Sequence, residues 1–479
     1  MTKQNNLRNN YLLSLGEILS RIPMIFTIGY LAKSVGPEAF GAWSLILVVQ
    51  TLMTSLGGAG LASALIRFGP NAERNVAYEY IILSIKRSAI FLGIISILVY
   101  IFYDNIGAFL NINPKYRWLL IATSIMTIGS ILDGHLDKYF KARLLINKQI
   151  TYVFSRTIAE VVAVICVFYF MNFSHASKAI FLYIIIVVTI KLLIYPWLFI
   201  EKNTKIKNRI KLDTKNTFLN FAYLLIPSIL LAWLIIQIDR IILGWMLSPI
   251  EFGVYAFSAT LSSYIVFISY SIMPLFQSHS AMYYDKGEFH QLRNLFEIWQ
   301  YIFLSVTTII MLILIFFSQA ILSMTAGLEY SKMPHILILL CAAVSLDQFF
   351  TQYQLIFNLA KKPKYSTLVH AIKLIILAIL IPIFVFFFGI NGAAFGIIAS
   401  VLIVNLVRYK IATKLVEIKL SLFVKINLIS VILLLTVLSY LQNFIFLSKP
   451  IFLIILTLSI GIFFFIGRKK LNYFRAKFS

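Results

Sequence analysis

Apolar segments long enough to cross a lipid bilayer recur from one end of this sequence to the other. A transmembrane helix needs about 20 predominantly apolar residues, and such segments occur here about every 30 to 40 residues. Only 13% of the residues are charged, whereas soluble domains carry roughly 25%. The mean hydropathy is +0.90. The sequence therefore predicts an all-α integral membrane protein and excludes a water-soluble core.

The hydropathy pattern predicts about fourteen transmembrane helices joined by short polar connections. Glu17 and Arg21 lie in the first apolar run, which favours a retained helix over a cleaved signal peptide. No segment remains for a soluble catalytic domain. The predicted spans are residues 11–33, 40–63, 80–103, 117–137, 150–171, 179–200, 218–246, 252–277, 293–317, 333–357, 365–388, 390–411, 424–446 and 449–467.

The formal net charge of +24 is distributed unevenly over the connections between the spans. If the N-terminus lies in the cytoplasm, the loops on that side hold roughly thirty Lys or Arg and the opposite loops about six. The basic connection at 201–217 and the tail at 468–470 both lie on the side whose loops hold more Lys and Arg. The positive-inside rule therefore predicts a multi-pass inner-membrane protein with both termini in the cytoplasm, and it explains the charge without nucleic acid.

Motifs for covalent chemistry are missing from the sequence. Cys166 and Cys341 lie far apart with no His or Cys at metal-ligand spacing, so neither a disulfide nor a metal site is indicated. The glycines of 57–60 lack the Gly-Lys-Ser/Thr ending of a phosphate-binding loop. No nucleophile elbow or nucleotide-binding signature appears. We therefore expect a protein that is not an enzyme, with no catalytic residues and no cofactor.

A short motif occurs twice at equivalent points of the predicted topology. Pro37-Glu38-Ala39-Phe40-Gly41-Ala42-Trp43 is repeated as Pro249-Ile250-Glu251-Phe252-Gly253-Val254-Tyr255. The two copies are six spans apart, so the repeat keeps its membrane orientation and is parallel. A tight turn that arose twice independently is the alternative. The repeat divides the chain into an N-terminal six-helix lobe (1–200), a basic linker (201–217), a C-terminal six-helix lobe (218–411) and two additional helices with a basic tail (412–479).

These segments resemble the polysaccharide flippases of the multidrug/oligosaccharidyl-lipid/polysaccharide exporter superfamily, the group that contains O-antigen and capsule repeat-unit translocases. The resemblance is carried by residues 31–45 with Gly57, Gly60 and 64–68, by 239–256, and more weakly by 327–330 and 389–394. It implies two six-helix bundles around a V-shaped central cavity that opens alternately to either side of the membrane. It also implies a polyprenyl-diphosphate-linked glycan as substrate, with membrane lipids and the polymerase and chain-length proteins of the same pathway as partners.

Two alternatives to a flippase stay open at this point. An ion-coupled multidrug or metabolite exporter of the same superfamily would usually stop at twelve spans and favour an acidic cavity for cationic drugs. A membrane-embedded glycan polymerase or ligase would carry a large outward loop, and the predicted outward loops are short. A scaffold that transports nothing would not need charged residues on several spans.

Charged residues inside the predicted spans are the candidates for substrate contact. Burying one at the bilayer centre costs about 2.5 to 3.5 kcal/mol on insertion scales, so such residues tend to face a cavity or a partner. Internal salt bridges are the alternative, because Glu17 with Arg21 and Arg156 with Glu160 have i, i+4 spacing. The candidate diphosphate-binding cations are Arg21, Arg156, Lys191, Arg240 and Lys373, and the supporting or ion-coupling acids are Glu17, Glu160, Asp239 and Asp347.

The tenth span carries a polar stripe formed by Asp347, Thr351 and Gln354. A lipid-facing surface should be apolar at these positions, so the stripe predicts either a cavity lining or a coupling site for H⁺ or Na⁺ at Asp347. His370 and Lys373 share one face of the eleventh span, but a lone histidine is a weak signal for a proton relay.

Overall fold

The computed structural model describes residues 3–70, 72–143, 145–169, 175–199, 212–360, 362 and 364–416. Over these residues every long element is an α-helix, which confirms the predicted fold class. A π-helical turn at Ile165–Tyr169 continues α6, and a 3₁₀ turn at Tyr330–Lys332 precedes α13. The helices are α1 (Lys3–Gly58), α2 (Leu61–Phe68), α3 (Arg74–Phe109), α4 (Pro114–Arg117), α5 (Leu119–Ala142), α6 (Ile146–Val164), α7 (Ala176–Phe199), α8 (Leu212–Leu224), α9 (Ile226–Met246), α10 (Pro249–Ser263), α11 (Val266–Asp285), α12 (Phe289–Ala326), α13 (Pro334–Leu359) and α14 (Lys364–Leu415).

The two longest helices, α1 and α14, are each divided by a glycine. The 52 residues of α14 would span about 78 Å at 1.5 Å per residue, far more than the bilayer core of about 30 Å. Gly36 (φ 79°, ψ 167°) interrupts α1 and Gly389 (φ 55°, ψ −137°) interrupts α14. Both residues have positive φ, which glycine adopts without steric cost. The breaks fall between predicted spans one and two and between spans eleven and twelve.

The halves of α14 pack side by side after the break. A Cβ atom added to Gly392 would lie 1.9 Å from the carbonyl oxygen of Phe384, and one added to Gly396 would lie 3.0 Å from the Cα of Ile381. The chain therefore folds back on itself at Gly389 as a tight helical hairpin, which small residues allow.

Nine helices within the described ranges are long and apolar enough to cross a membrane. A helix lies at each of the first twelve predicted spans, some of them sharing one long or kinked helix. The last two predicted spans (424–446 and 449–467), the basic tail and most of the 201–217 linker lie outside the described residues. The total of fourteen therefore stays a prediction.

The chain forms two compact units, Met1–Phe257 and Ser258–Ser479. The division falls inside α10, because α8 and α9 pack on the helices that precede them. The ring of Phe218 stacks on Tyr80 at 4.6 Å, and the indole nitrogen of Trp233 donates to the hydroxyl of Thr51 at 3.1 Å. The lobes at 1–200 and 218–411, which rest on the sequence repeat, stay a prediction.

The two copies of the repeated motif pack against each other within the first unit. A Cβ atom on Gly253 would lie 1.9 Å from the carbonyl oxygen of Pro37, and one on Gly41 would lie 3.1 Å from the carbonyl oxygen of Pro249. Each glycine therefore faces the proline of the other copy. The absence of side chains at these two positions is what lets α1 and α10 come into backbone contact.

Candidate functional site

Four charged side chains of the first unit meet between α5, α6 and α7. Lys191 on α7 contacts Asp133 on α5 at 2.7 Å and Glu160 on α6 at 3.9 Å. Arg156, one turn before Glu160, lies 3.7 Å from it. We call Asp133, Arg156, Glu160 and Lys191 the first cluster. Its two acids and two bases sum to zero charge.

Two tyrosines complete the hydrogen bonds of Asp133. The hydroxyl of Tyr152 donates to Oδ1 of Asp133 at 3.3 Å, and the hydroxyl of Tyr195 donates to the same oxygen. The Lys191 side chain is 7% exposed and that of Asp133 is 13% exposed. Buried charges are stable only when they are paired and hydrogen-bonded in this way. The first cluster is thus a neutral network that ties three helices together.

Three charged side chains of the second unit meet between α13 and the two halves of α14. Lys373 lies 2.7 Å from Oδ2 of Asp347, and Nη1 of Arg408 lies 3.1 Å from Oδ1 of the same carboxylate. Nη1 of Arg408 also donates to Oδ1 of Asn405 at 2.6 Å. We call Asp347, Lys373 and Arg408 the second cluster. Its formal charges sum to +1.

The two clusters occupy corresponding places in the sequence repeat. Asp347 lies 214 positions after Asp133, and Arg408 lies 217 positions after Lys191. The repeated motif itself has an offset of 212, from Pro37 to Pro249. In the first unit, an acid on the helix of the fourth predicted span therefore pairs with a base on the helix of the sixth. In the second unit, an acid on the helix of the tenth span pairs with a base on the helix of the twelfth. The three offsets are similar but not equal, and the parallel repeat stays a prediction.

Asp239 and Arg240, which are adjacent on α9, point to different partners. Oδ2 of Asp239 accepts from the hydroxyl of Tyr255 at 2.5 Å. Arg240 donates to the side-chain oxygen of Gln237 at 3.4 Å. The structure thus keeps these two charges out of the first cluster.

The structure brings some of the sequence candidates together and separates others. Arg156, Glu160 and Lys191 share the first cluster, and Asp347 and Lys373 share the second. The side chains of Glu17 and Arg21 lie outside the described part of the structure. Sequence reasoning did not select Asp133, Tyr152, Tyr195 or Arg408 for the site. The signal for Arg408 was available, because it is a charged residue inside the predicted span 390–411.

The polar stripe of α13 faces α14. Gln354 donates to the hydroxyl of Ser366 at 2.7 Å, and it lies 3.0 Å from Nε2 of His370. Both carboxylate oxygens of Asp347 contact cationic side chains. A sodium ion at Asp347 would therefore share the carboxylate with Lys373 and Arg408, whose positive charges oppose it. In the described part of the chain, no group of three or more His, Cys, Asp or Glu residues is placed to hold a metal ion.

Comparisons with known proteins show a family match over part of the chain and a fold similar to that of solved membrane transporters. Residues 6–278 match the family model described as "Polysaccharide biosynthesis protein". This range includes both copies of the repeated motif and the whole first cluster. Among curated proteins, no sequence matches significantly.

Solved structures share the fold at low sequence identity. An inward-facing multidrug resistance MATE family transporter of the MOP superfamily superposes with a TM-score of 0.69 at 15% identity, covering 85% of this chain and 98% of that one. The inward closed lipid II flippase MurJ gives 0.67 at 17%, covering 96% and 99%. A MOP superfamily transporter from Pyrococcus furiosus, whose binding pocket is described as reversed in polarity, gives 0.62 at 15%, covering 86% and 96%.

Proposed function

The chain belongs to the polysaccharide biosynthesis protein family, and from this premise we propose that it is a flippase for lipid-linked oligosaccharides. Its substrate is an undecaprenyl-diphosphate-linked repeat unit of O-antigen or capsular polysaccharide. Alternating access carries the repeat unit from the cytoplasmic to the outer leaflet of the bacterial inner membrane. No covalent bond of the substrate changes, so the protein is not an enzyme.

The family match is the observation that carries this proposal, and the buried charges are consistent with it. A hydrated glycan and its diphosphate cross hydrocarbon only at a very high free-energy cost, which a protein path removes. Arg156, Lys191, Arg240 and Lys373 are basic residues on membrane helices, and guanidinium and ammonium groups suit phosphate oxygens. Arg21 has the same proposed role on sequence grounds. A protein of similar fold, MurJ, is a lipid II flippase.

An ion-coupled multidrug exporter is the second candidate, because a MATE family transporter superposes with a TM-score of 0.69. Such a protein would be driven by H⁺ or Na⁺ bound at an acid such as Asp347, Asp239, Glu160 or Glu17. The charges of the second cluster favour the flippase, since a site with a net charge of +1 repels a cationic drug. The polymerase and the chain-length proteins of the glycan pathway are the proposed partners.

Deleting this chain from its host should abolish the surface glycan and leave lipid-linked repeat units at the cytoplasmic leaflet. Wild-type protein expressed from a plasmid should restore the glycan, which excludes an effect on neighbouring genes. The measurement is surface glycan by immunoblot, with extracted lipid-linked oligosaccharide measured in parallel. Unchanged surface glycan, combined with increased sensitivity to cationic drugs, would instead identify a drug exporter.

The proposed orientation predicts that cysteines at positions 207 and 470 stay unlabelled by a membrane-impermeant maleimide in intact cells. Concentrated Lys and Arg resist translocation, and both positions lie in basic segments. Cys166 and Cys341 are first replaced by serine or alanine to give a cysteine-free background. The control is labelling of the same variants after permeabilisation. Labelling of either position in intact cells would contradict cytoplasmic placement of the linker and the tail.

A further inference from the structure

The second cluster is more positive than the first because it differs at two corresponding positions: Lys373 stands where the first cluster has Glu160, and no base corresponds to Arg156. Glu160 of the first cluster is followed 213 positions later by Lys373, close to the offset of 214 that relates Asp133 to Asp347. The first cluster balances two acids with two bases. The second keeps the acid on the helix of the tenth span and the base on the helix of the twelfth, but it has lysine in place of the second acid.

The excess positive charge lies on buried side chains with hydrogen-bonding capacity left over. Arg408 is 2% exposed, and its Nε atom is buried with no hydrogen-bond partner among the described residues. The Lys373 side chain is 17% exposed and that of Asp347 is 18% exposed. Of the three protons on the Lys373 ammonium, Asp347 accepts one. The side chain of Lys373 is therefore partly exposed, and the Nε–H donor of Arg408 lacks a hydrogen-bond partner among the described residues.

An unsatisfied buried donor costs about 1 to 3 kcal/mol, and more when it belongs to a charged group. A surplus of one positive charge on membrane helices adds a further cost, because a membrane interior solvates a charge less well than bulk water does. An anion with several acceptor oxygens would remove both costs, since it neutralises the charge and accepts from Nε of Arg408 and from Lys373. Phosphate oxygens match this requirement, as they accept from guanidinium forks and ammonium groups together.

We propose that Lys373 and Arg408, positioned by Asp347, form a binding site for a phosphate group in the second unit. The inference deepens the proposed function, on which it rests for the identity of the natural ligand: the diphosphate of the lipid-linked glycan. An anionic phospholipid headgroup offers the same chemistry. His370 on α14 and Gln354 on α13, which lie 3.0 Å apart, carry hydrogen-bonding groups on the same two helices as the cluster. The first cluster, with balanced charge, has no surplus positive charge of this kind.

The test measures binding of inorganic diphosphate to the full-length protein in phosphatidylcholine nanodiscs by isothermal titration calorimetry. Lys373→Gln removes the surplus charge while Arg408 can still pair with Asp347, so the variant should fold. We expect its affinity for diphosphate to fall about tenfold or more, which is the loss of one charge-assisted hydrogen bond. Lys373→Arg keeps the charge and should retain most of the affinity. Lys414→Gln removes an exposed lysine from the same helix and is the matched control.

Equal diphosphate affinity in wild type and Lys373→Gln would overturn the inference, as would an equal loss in Lys414→Gln. Repeating the titration in nanodiscs that also contain phosphatidylglycerol separates the two sources of phosphate. Competition by this lipid identifies a headgroup as the occupant, and no competition identifies the substrate diphosphate. If glycan export depends on the wild-type chain but the Lys373→Gln variant binds diphosphate as tightly as wild type, the proposed phosphate site is wrong and the flippase function stands. If diphosphate binds as expected but glycan export does not depend on this chain, the flippase is wrong and the site stands.

Discussion

Replacing Lys191 by methionine is expected to lower the free energy of unfolding by about 3 to 5 kcal/mol, the range typical for removing one partner of a buried ion pair. Lys191 contacts both acids of the first cluster, Asp133 at 2.7 Å and Glu160 at 3.9 Å. Without its ammonium group, Arg156 alone compensates two buried carboxylates. Methionine has a similar length, so the loss arises from the charge and not from a large cavity.

Equilibrium unfolding in detergent micelles measures this loss, with Lys178→Met as the control. Lys178 is an exposed lysine on the same helix, and its replacement should change stability by no more than about 0.5 kcal/mol. Adding Asp133→Asn to Lys191→Met restores a neutral cluster and should recover part of the stability. An asparagine oxygen can still accept from the hydroxyls of Tyr152 and Tyr195. If Lys191→Met is as stable as Lys178→Met, Lys191 does not compensate the two acids.

The helical architecture was largely predictable because its cause is local. A helix that crosses a bilayer requires about 20 consecutive apolar residues, so each such helix is visible in the sequence as a continuous apolar run. The breaks at Gly36 and Gly389 coincide with the predicted gaps between spans, since glycine adopts positive φ at low cost. The last two predicted spans lie beyond residue 416, outside the described residues, so their existence stays a prediction.

The partners of the buried charges were less predictable because they depend on how helices face each other. The spacing of Arg156 and Glu160 indicated a pair on one helix, and the structure places them 3.7 Å apart. Lys191 and Asp133 are 58 positions apart in the sequence and lie on different helices. Hydropathy does not indicate which sides of two helices face each other. Arg408 lies inside the predicted twelfth span but only three residues before its end, where basic residues are also common as interface anchors, so the sequence alone does not assign it a buried partner.

The repeat shows how sequence and packing combine. The second copy of the motif indicated a duplication, and the corresponding positions of the two clusters extend it to α5 and α13 and to α7 and the second half of α14. Under the predicted repeat, Glu160 and Lys373 are corresponding positions that differ in charge. Such differences are informative because the shared framework, an acid paired with a base, is unchanged.

Replacing Gly253 by alanine is expected to destabilise the first unit by about 3 kcal/mol or more, at or above the usual range for overpacking. The added Cβ atom would lie 1.9 Å from the carbonyl oxygen of Pro37, whereas carbon atoms in contact lie about 3.5 Å or more apart. The clash is with backbone, so no side-chain rotation relieves it and α10 must move away from α1. This cost outweighs the gain of about 1 kcal/mol that alanine brings to a helix.

Thermal unfolding of the detergent-solubilised protein measures the effect, and Gly93→Ala is the matched control. Gly93 lies in α3 with open space where its Cβ atom would be, so alanine there should leave stability unchanged or raise it slightly. Gly41→Ala should have an intermediate effect, because its nearest contacts would be at 3.1 Å. From the most to the least stable, the expected order of the variants is therefore Gly93→Ala, Gly41→Ala and Gly253→Ala. If Gly253→Ala unfolds at the same temperature as Gly93→Ala, the two copies of the motif are not held in backbone contact, and their packing contributes nothing to the stability of the first unit.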